Sequence, residues 1–362
     1  MNLRVPGPTP LPPSAREASA RQMINHRSPE FAQLFRDVTA RLQSFYRTRN
    51  DLLILTGSGT GGLEAAIVNV LSPGDRVLSV LVGAFGERFA QIARTFGADV
   101  RVLEFPWGEP ADPDAVARAV RADPAIKAVL VTHNETSTGV TNDLPAIARA
   151  VRQTDAVLIV DAISSVGAIE LLADEWGCDV VVGASQKAWM APPGLAMVSV
   201  SERAWRAHAT ARMPRVYWDF GAAKRYLERG QTPWTPAVSV LYALAEALRL
   251  MEAEGLPAII ARHQSVGARM RSHARSLGLE LLPRDDAYAS NTTTAIRAPA
   301  GVDVSQLLRA LREEHGVVLA GGQSRLAGKV FRVGHMGWVS EEDIDAVAAA
   351  LGAVLPRLSG QA

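Results

Sequence analysis

The sequence predicts an α/β fold: a wide, mainly parallel seven-stranded sheet in a large domain, followed by a smaller α+β C-terminal domain. Three observations carry that expectation. From residue 51 to about residue 200, short β-branched runs alternate with amphipathic stretches, the pattern of strands joined by crossover helices. The 362 residues are 48% hydrophobic, enough to bury a large core and to divide into two domains. A long helical stretch over 237–253 ends at Gly255 and Pro257, which punctuate a boundary.

The expected strands fall at 52–55, 77–82, 100–103, 128–132, 157–160, 180–182 and 196–200, each a short apolar run. Helices are expected between them at 62–71, 85–96, 113–121 and 144–152. A segment containing Trp and Arg follows over 212–234, then the 237–253 helix. The remainder carries helices at 258–277, 304–314 and 341–355 and strands near 292–297 and 330–333. No internal repeat or low-complexity tract interrupts the chain.

Composition narrows the function classes. A net charge of +1 and a pI near 8.0 leave no electrostatic footprint for nucleic acid, and no basic block is interleaved with aromatics. Small molecules are the expected partners. Cys178 is the only cysteine, which excludes an internal disulfide and fits a reducing, cytoplasmic compartment. The proline-rich start lacks the apolar core of a signal peptide, residues 359–362 form no peroxisomal address, and no apolar run approaches a membrane span. The seven histidines show no metal-ligand spacing, so no metal is assigned.

The chemistry concentrates at Lys187 and Asp161. Only four lysines stand against thirty-four arginines, and Lys187 follows the apolar run 180–182 just as Asp161 caps 156–160. Two buried strands thus deliver an amine and a carboxylate to one rim. Arginine cannot form an imine with an aldehyde. A lysine that does so with pyridoxal phosphate, and an acid that pairs the pyridine nitrogen, is the constellation this cofactor needs. Burial should lower the Lys187 pKa far enough for the amine to act as a base near pH 7, while Asp161 must stay ionised.

The run GSGTGG at 57–62 lies between an expected strand and helix, where bare N–H groups and a positive helix end hold an anion. It also satisfies GxGxxG, which keeps a dinucleotide-binding oxidoreductase as a remote alternative. That fold expects an acid ending the second strand, whereas 77–82 runs into Gly83, Ala84 and Phe85. Phe85 reads either as a core aromatic or as a ring stacked on a planar heterocycle. The polar run 133–139 reads either as a capping turn or as hydroxyls offered at the ligand-binding edge of the sheet.

In combination, VPGPTPLPP, NHRSPEF, TGSGTGGLEAA, THNETSTGV, VDAISSVGA, GASQKAWMAPPGLA, TPWTPAVS and FRVGHMG resemble the class V pyridoxal-phosphate aminotransferases, in particular the alanine–glyoxylate and serine–glyoxylate group. The resemblance spans nearly the whole chain. It implies the fold type I architecture, with an N-terminal arm over 1–20, a large cofactor-binding domain over 21–254 and a small domain over 255–362. It implies that Lys187 carries the cofactor and Asp161 pairs with the pyridine nitrogen. Phe85 would stack on the ring and Thr136 contact its hydroxyl, while Ser58, Gly59, Thr60 and Gln186 surround the phosphate. Thr232 and Thr235 would reach the phosphate of a neighbouring subunit, which implies a homodimer with shared sites. Arg332 matches the arginine that binds the substrate carboxylate, and Gly7 joins it in the substrate-binding set. Where some members carry His, Tyr, Trp and Ser, this chain has Thr60, Thr232, Phe85 and Thr136; each keeps a group able to do the same work.

The implied reaction moves an amino group from alanine or serine to glyoxylate or pyruvate by a ping-pong mechanism. A planar guanidinium at Arg332 suits bidentate pairing with a carboxylate. No motif marks a second arginine for a distal carboxylate, which favours small donors, although Arg27 and Arg325 stand as candidates. Two alternatives keep the cofactor: transamination of an unusual amine such as pyridoxamine or ureidoglycine, and a class V lyase or desulfurase. The second needs a mobile cysteine, and Cys178 sits beside an expected strand.

Overall fold

The computed structural model describes residues 1–358; residues 359–362, where the sequence carries no peroxisomal address, lie outside the described residues. Seven strands form one sheet: β1 (Asp51–Thr56), β2 (Arg76–Leu81), β3 (Asp99–Glu104), β4 (Ile126–Thr132), β5 (Val157–Asp161), β6 (Val180–Ala184) and β7 (Leu195–Val200). Their order is β1-β7-β6-β5-β4-β2-β3. Neighbours run parallel except at β7, which is antiparallel to both β6 and β1. The C-terminal ends of β1, β2, β4, β5 and β6 therefore meet the start of β7 along one edge.

The period-2 alternation of each strand sends its apolar side chains to two separate cores. Ile54, Val80, Val131, Val160, Val181 and Met197 face one, and Leu53, Leu55, Leu130, Ile159, Val182 and Val198 face the other. Helices α1 (Pro29–Tyr46), α2 (Gly59–Val70), α3 (Ala84–Thr95), α4 (Pro113–Ala122), α5 (Leu144–Arg152), α6 (Glu202–Thr210) and α7 (Val238–Glu254) cover these faces. Strand β3 has one neighbour only, and its edge carries Asp99, Arg101 and Glu104, charges that discourage further pairing.

Three differences from the sequence expectation stand out, and two of them trace to helix caps. Helix α1 was not expected, yet Ser28 caps it by accepting from Phe31 N at 3.3 Å, Pro29 opens it, and Phe31, Phe35, Val38, Leu42 and Phe45 are buried at helical spacing. Two helices, α6 and Phe220–Leu227, occupy the stretch between β7 and α7. Helix α2 begins at Gly59 rather than at residue 62, because Ser58 is its cap and accepts from Gly61 N at 3.5 Å. The glycine run is thus the first turn of the helix itself. It packs too closely for side chains: a Cβ at Gly59 would overlap Ile163, and one at Gly62 would lie 2.7 Å from Val182 Cγ1.

The C-terminal part carries β8 (Thr293–Arg297), β9 (Ala320–Gly321) and β10 (Val330–Gly334) in the antiparallel order β8-β10-β9. Helices Leu256–Ser276, Val304–His315 and Glu341–Leu358 pack around a third apolar cluster that includes Val266, Phe331, Val333 and Leu351. Residues Asn2–Leu3 pair with Val317–Val318, which ties the N-terminal arm to this part. Among the described residues no helix is long and apolar enough to cross a membrane.

Candidate active site

Asp161 is the last residue of β5, and Lys187 stands three residues beyond β6, its neighbour in the sheet. Both line a cavity of about 220 Å³ at the shared edge. Ser58, Gly59 and Thr60 line it from the start of α2, Phe85 from α3, Thr136 from the turn after β4, Gln186 from beside Lys187, and Gly7 from the N-terminal arm. The Ser58 to Thr60 segment presents a helix N-terminus to the cavity, where unpaired N–H groups favour an anion.

The arm closes over Lys187. Its amine donates to the Pro6 carbonyl, Thr9 N donates to the Gln186 carbonyl at 3.1 Å, and the Thr9 hydroxyl donates to the Lys187 carbonyl at 2.9 Å. Gly7 is required twice over, since its φ of +125° is disfavoured for other residues and a Cβ would lie 2.6 Å from Lys187 Nζ.

Burial sets the charge states. It lowers the Lys187 pKa from 10.5 to about 8, with Asp161 opposing the shift and Arg332 and Arg88 adding to it. Burial raises the Asp161 pKa from 3.8 to about 7; the Ile163 N–H, donating to Oδ1 at 3.0 Å, pulls it back, Glu135 pushes it further, and Lys187 and Arg88 oppose. One cavity thus holds an amine and a carboxylate whose acidities burial has moved towards neutrality, as at sites that handle protons.

Three expected site residues lie off the cavity. Arg332, on β10, is buried against its wall: it donates to the Thr136 carbonyl at 3.3 Å and to the Gly321 carbonyl at 2.9 Å, and burial lowers its pKa to about 10. The Thr232 hydroxyl donates to the Trp234 carbonyl at 2.7 Å, while Arg27 donates to the carbonyls of Thr232 and Pro233 at 2.5 and 3.1 Å. Thr235 is exposed. Arg27 is thereby committed away from the cavity. So is Arg325, paired with Glu87 and Glu104 at 2.6 Å each.

Two residues that sequence reasoning passed over matter here. Arg88 lines the cavity, stacks its guanidinium 4.9 Å from the Phe85 ring centroid, and has no ion-pair partner among the described residues. Its signal was its position one helical turn after Phe85. Glu135 is fully buried below the rim and accepts from Phe85 N at 3.0 Å, Gly86 N at 3.1 Å, Ser137 N at 3.0 Å and Ser137 Oγ at 2.6 Å. Burial pushes its pKa up while these four donors pull it back. A carboxylate at the N-terminus of α3 completes the capping that Gly83 cannot supply, and so fixes where Phe85 points. Its signal was a lone acid inside the polar run after β4.

Glu135→Ala should destabilise the protein by at least about 3 kcal/mol, because several buried donors lose their acceptor together. Glu135→Gln, which keeps the shape and one acceptor oxygen, should cost less. Urea unfolding of both variants checks this; an alanine variant within about 0.5 kcal/mol of the parent would show that the carboxylate does not anchor α3.

His335, in the FRVGHMG run, is buried and bonded to Thr294 Oγ1 at 2.8 Å, and burial lowers its pKa to about 3; it is a neutral structural residue. Cys178 is buried and its thiol is pushed up by burial and by Asp179 and Asp174. Among the described residues no group of three or more His, Cys, Asp or Glu side chains is placed to hold a metal ion.

The family model described as Aminotransferase class-V matches residues 14–347. The chain is 45% identical over 360 residues to a protein of Synechococcus sp. (strain PCC 6716) named soluble hydrogenase, small subunit, with 98% of this chain and 93% of that one covered. It is 37% identical over 350 residues to the serine–glyoxylate aminotransferase of Methylorubrum extorquens, covering 94% and 87%. The crystal structure of alanine–glyoxylate aminotransferase from Nostoc sp. matches with a TM-score of 0.94 at 33% identity, covering 98% and 94%. Pyridoxal phosphate, the cofactor this family implies, fits the residues present. Amine and carboxylate enter from adjacent strands, a helix N-terminus faces in, and two buried lining oxygens, Thr132 Oγ1 and Gln186 Oε1, have no hydrogen-bond partner of their own. The match over 14–347 and this arrangement of Lys187, Asp161 and the glycine turn agree: the chain belongs to the class V aminotransferases and uses pyridoxal phosphate.

Proposed function

We propose that the chain transfers an amino group from a small amino acid, alanine or serine, to glyoxylate or pyruvate, as a cytoplasmic homodimer built from an arm (1–20), a large domain (21–254) and a small domain (255–362). The observation that carries this reading is the pairing of Lys187 and Asp161 in one cavity beside the Ser58 to Thr60 turn. Pyridoxal phosphate, when bound, supplies the aldehyde that accepts the amino group and a ring that takes up the electron pair left at the α-carbon. Lys187 is the attachment point and the base: Nζ, neutral once deprotonated, removes the α-proton of the bound amino acid and returns a proton. Asp161 holds the pyridine nitrogen protonated. Phe85 would hold the ring, Thr136 its hydroxyl, and Ser58, Gly59, Thr60 and Gln186 the phosphate. Thr232 and Thr235 serve the site of a second subunit; their segment is exposed at Trp234 and Thr235, does not line its own cavity, and is held by Arg27. Arg332 binds the α-carboxylate at the wall formed with Thr136, and the arm keeps water from Nζ. The first keto acid leaves before the second enters, so the kinetics are ping-pong.

Cys178, buried and held protonated, offers no mobile thiolate for desulfuration. A second reading, a dicarboxylic donor such as aspartate, is favoured by Arg88, a lining guanidinium without an ion-pair partner among the described residues. The test is to offer the holoenzyme single donors and follow the cofactor's visible band. Alanine and serine should convert it, and Arg332→Lys should raise KM for each by about tenfold or more, since the planar fork is lost. Conversion by aspartate alone, weakened by Arg88→Gln, would replace the small-donor reading. Conversion by pyridoxamine or ureidoglycine alone would move the protein to the unusual-amine transaminases.

A further inference from the structure

We propose that Trp218 is a positioning residue for the phosphate-binding turn, and that a row of three aromatic rings in contact ties this turn to the segment carrying Thr232 and Thr235. The inference rests on the reading of residues 57–62 as the phosphate site. The outer edge of the Trp218 indole abuts the turn: a Cβ added at Gly57 would come within 2.8 Å of its Cη2, and one at Gly61 within 2.9 Å. Two glycines of GSGTGG are therefore explained by the ring rather than by a ligand. The absence of both side chains brings the indole against bare backbone, and the rigid ring stops the first turn of α2 from backing away from the cavity.

Trp218 is itself pinned from several sides. Its Nε1 donates to Glu64 Oε1 at 2.9 Å, one turn along α2, and its carbonyl accepts from Asn69 Nδ2 at 2.5 Å near the end of the same helix. Asn69 Oδ1 in turn accepts from Phe220 N at 2.9 Å. Outward, Tyr217 meets Trp218 edge-on, with centroids 5.0 Å apart and planes at 80°, and stacks on Trp234 at 6.1 Å and 10°. Trp234 Nε1 donates to the Tyr217 carbonyl at 3.0 Å, and the Trp234 carbonyl accepts from the Thr232 hydroxyl at 2.7 Å. The chain of contacts thus runs from the backbone of the turn, through Trp218, Tyr217 and Trp234, to Thr232. Movement of the 232–235 segment is felt at the turn through rings that pack as rigid plates.

The test compares pyridoxal phosphate with pyridoxal, which lacks the phosphate, by equilibrium titration of cofactor-free protein, read by absorbance and tryptophan fluorescence. Trp218→Leu should weaken pyridoxal phosphate by about tenfold or more and leave pyridoxal within about twofold, so that the preference for the phosphorylated form narrows. Trp218→Phe, which keeps a flat ring, should recover most of the difference. Gly61→Ala should narrow the preference in the same way, and the double variant with Trp218→Leu should bind no worse than Trp218→Leu alone, because the clash has been removed. A Trp218→Leu protein with the parent's preference, or additive losses in the double variant, would overturn the proposal. If Trp218→Leu does not fold, Gly61→Ala in the presence of Trp218 decides the matter: an unchanged preference there overturns it. If the parent protein itself showed no preference for the phosphorylated form, the reading of the turn as the phosphate site would fall instead.

Discussion

Lys187→Met should abolish transamination, lowering kcat by at least about 10³-fold, because the substitution removes the attachment point and the base together. Borohydride reduction and peptide mapping should place the cofactor at residue 187 in the parent and nowhere in the variant. Lys187→Arg should be equally inactive, since a guanidinium keeps the charge but forms no imine. A second consequence concerns stability without cofactor. The Lys187 pKa falls from 10.5 to about 8 on folding. Between those values the unfolded chain binds the proton that the folded chain lacks. Stability from this group is therefore fully present above about 10.5 and lost as pH falls through about 8. At pH 7 the folded protein carries a buried ammonium at a cost of about 3 kcal/mol, and Lys187→Met should recover a gain of that order which shrinks toward pH 10.5. Urea unfolding at pH 7 and pH 10 measures it. A variant with parental turnover, or a stability gain independent of pH, would contradict the role given to this amine.

Asp161→Asn should lower kcat by about 10²- to 10⁴-fold while the cofactor still attaches at Lys187, because the amide cannot hold a proton on the pyridine nitrogen. Single-turnover conversion of the visible band with alanine separates this from weaker binding. The pH behaviour has the opposite sign to that of Lys187. The Asp161 pKa rises from 3.8 to about 7, so its contribution to stability is fully present below about 3.8 and is lost as pH rises through about 7. In the cofactor-free variant that slope should vanish. A protonated pyridine nitrogen held by this carboxylate would reverse the balance, so cofactor binding by the parent should strengthen as pH passes through 7, and that of Asp161→Asn should not. Turnover by Asp161→Asn within about tenfold of the parent would remove this carboxylate from the mechanism.

The parts of the site that lie on strand ends were legible because each strand is a short apolar run whose last residue is forced to the rim. Lys187 and Asp161 are legible in this way; Phe85 and Thr136 are left open by the residues and given roles only by the family resemblance, and all four line one cavity. The start of α2 was misjudged because glycine carries no helical signal of its own, and the cap at Ser58 decides it. Helix α1 had both a cap and a 3-to-4 apolar spacing and was legible in principle. Glu135 is visible only as one of six polar residues in the run 133–139, since nothing local says that its carboxylate turns inward to the amides of Phe85 and Gly86, about fifty residues earlier.

The sequence by itself determined the alternation of strand and helix, the two-faced sheet, the amine and the carboxylate at its edge, and the glycine turn, because period-2 and period-3.6 burial and backbone freedom are local properties. Only the tertiary structure decided that the Pro6 carbonyl and Gly7 close on Lys187, that Arg88 has no ion-pair partner among the described residues while Arg325 is paired, and that Trp218 stands behind the glycines. Those contacts join residues distant in sequence through shape and desolvation. Their energies exist only once the layers have packed.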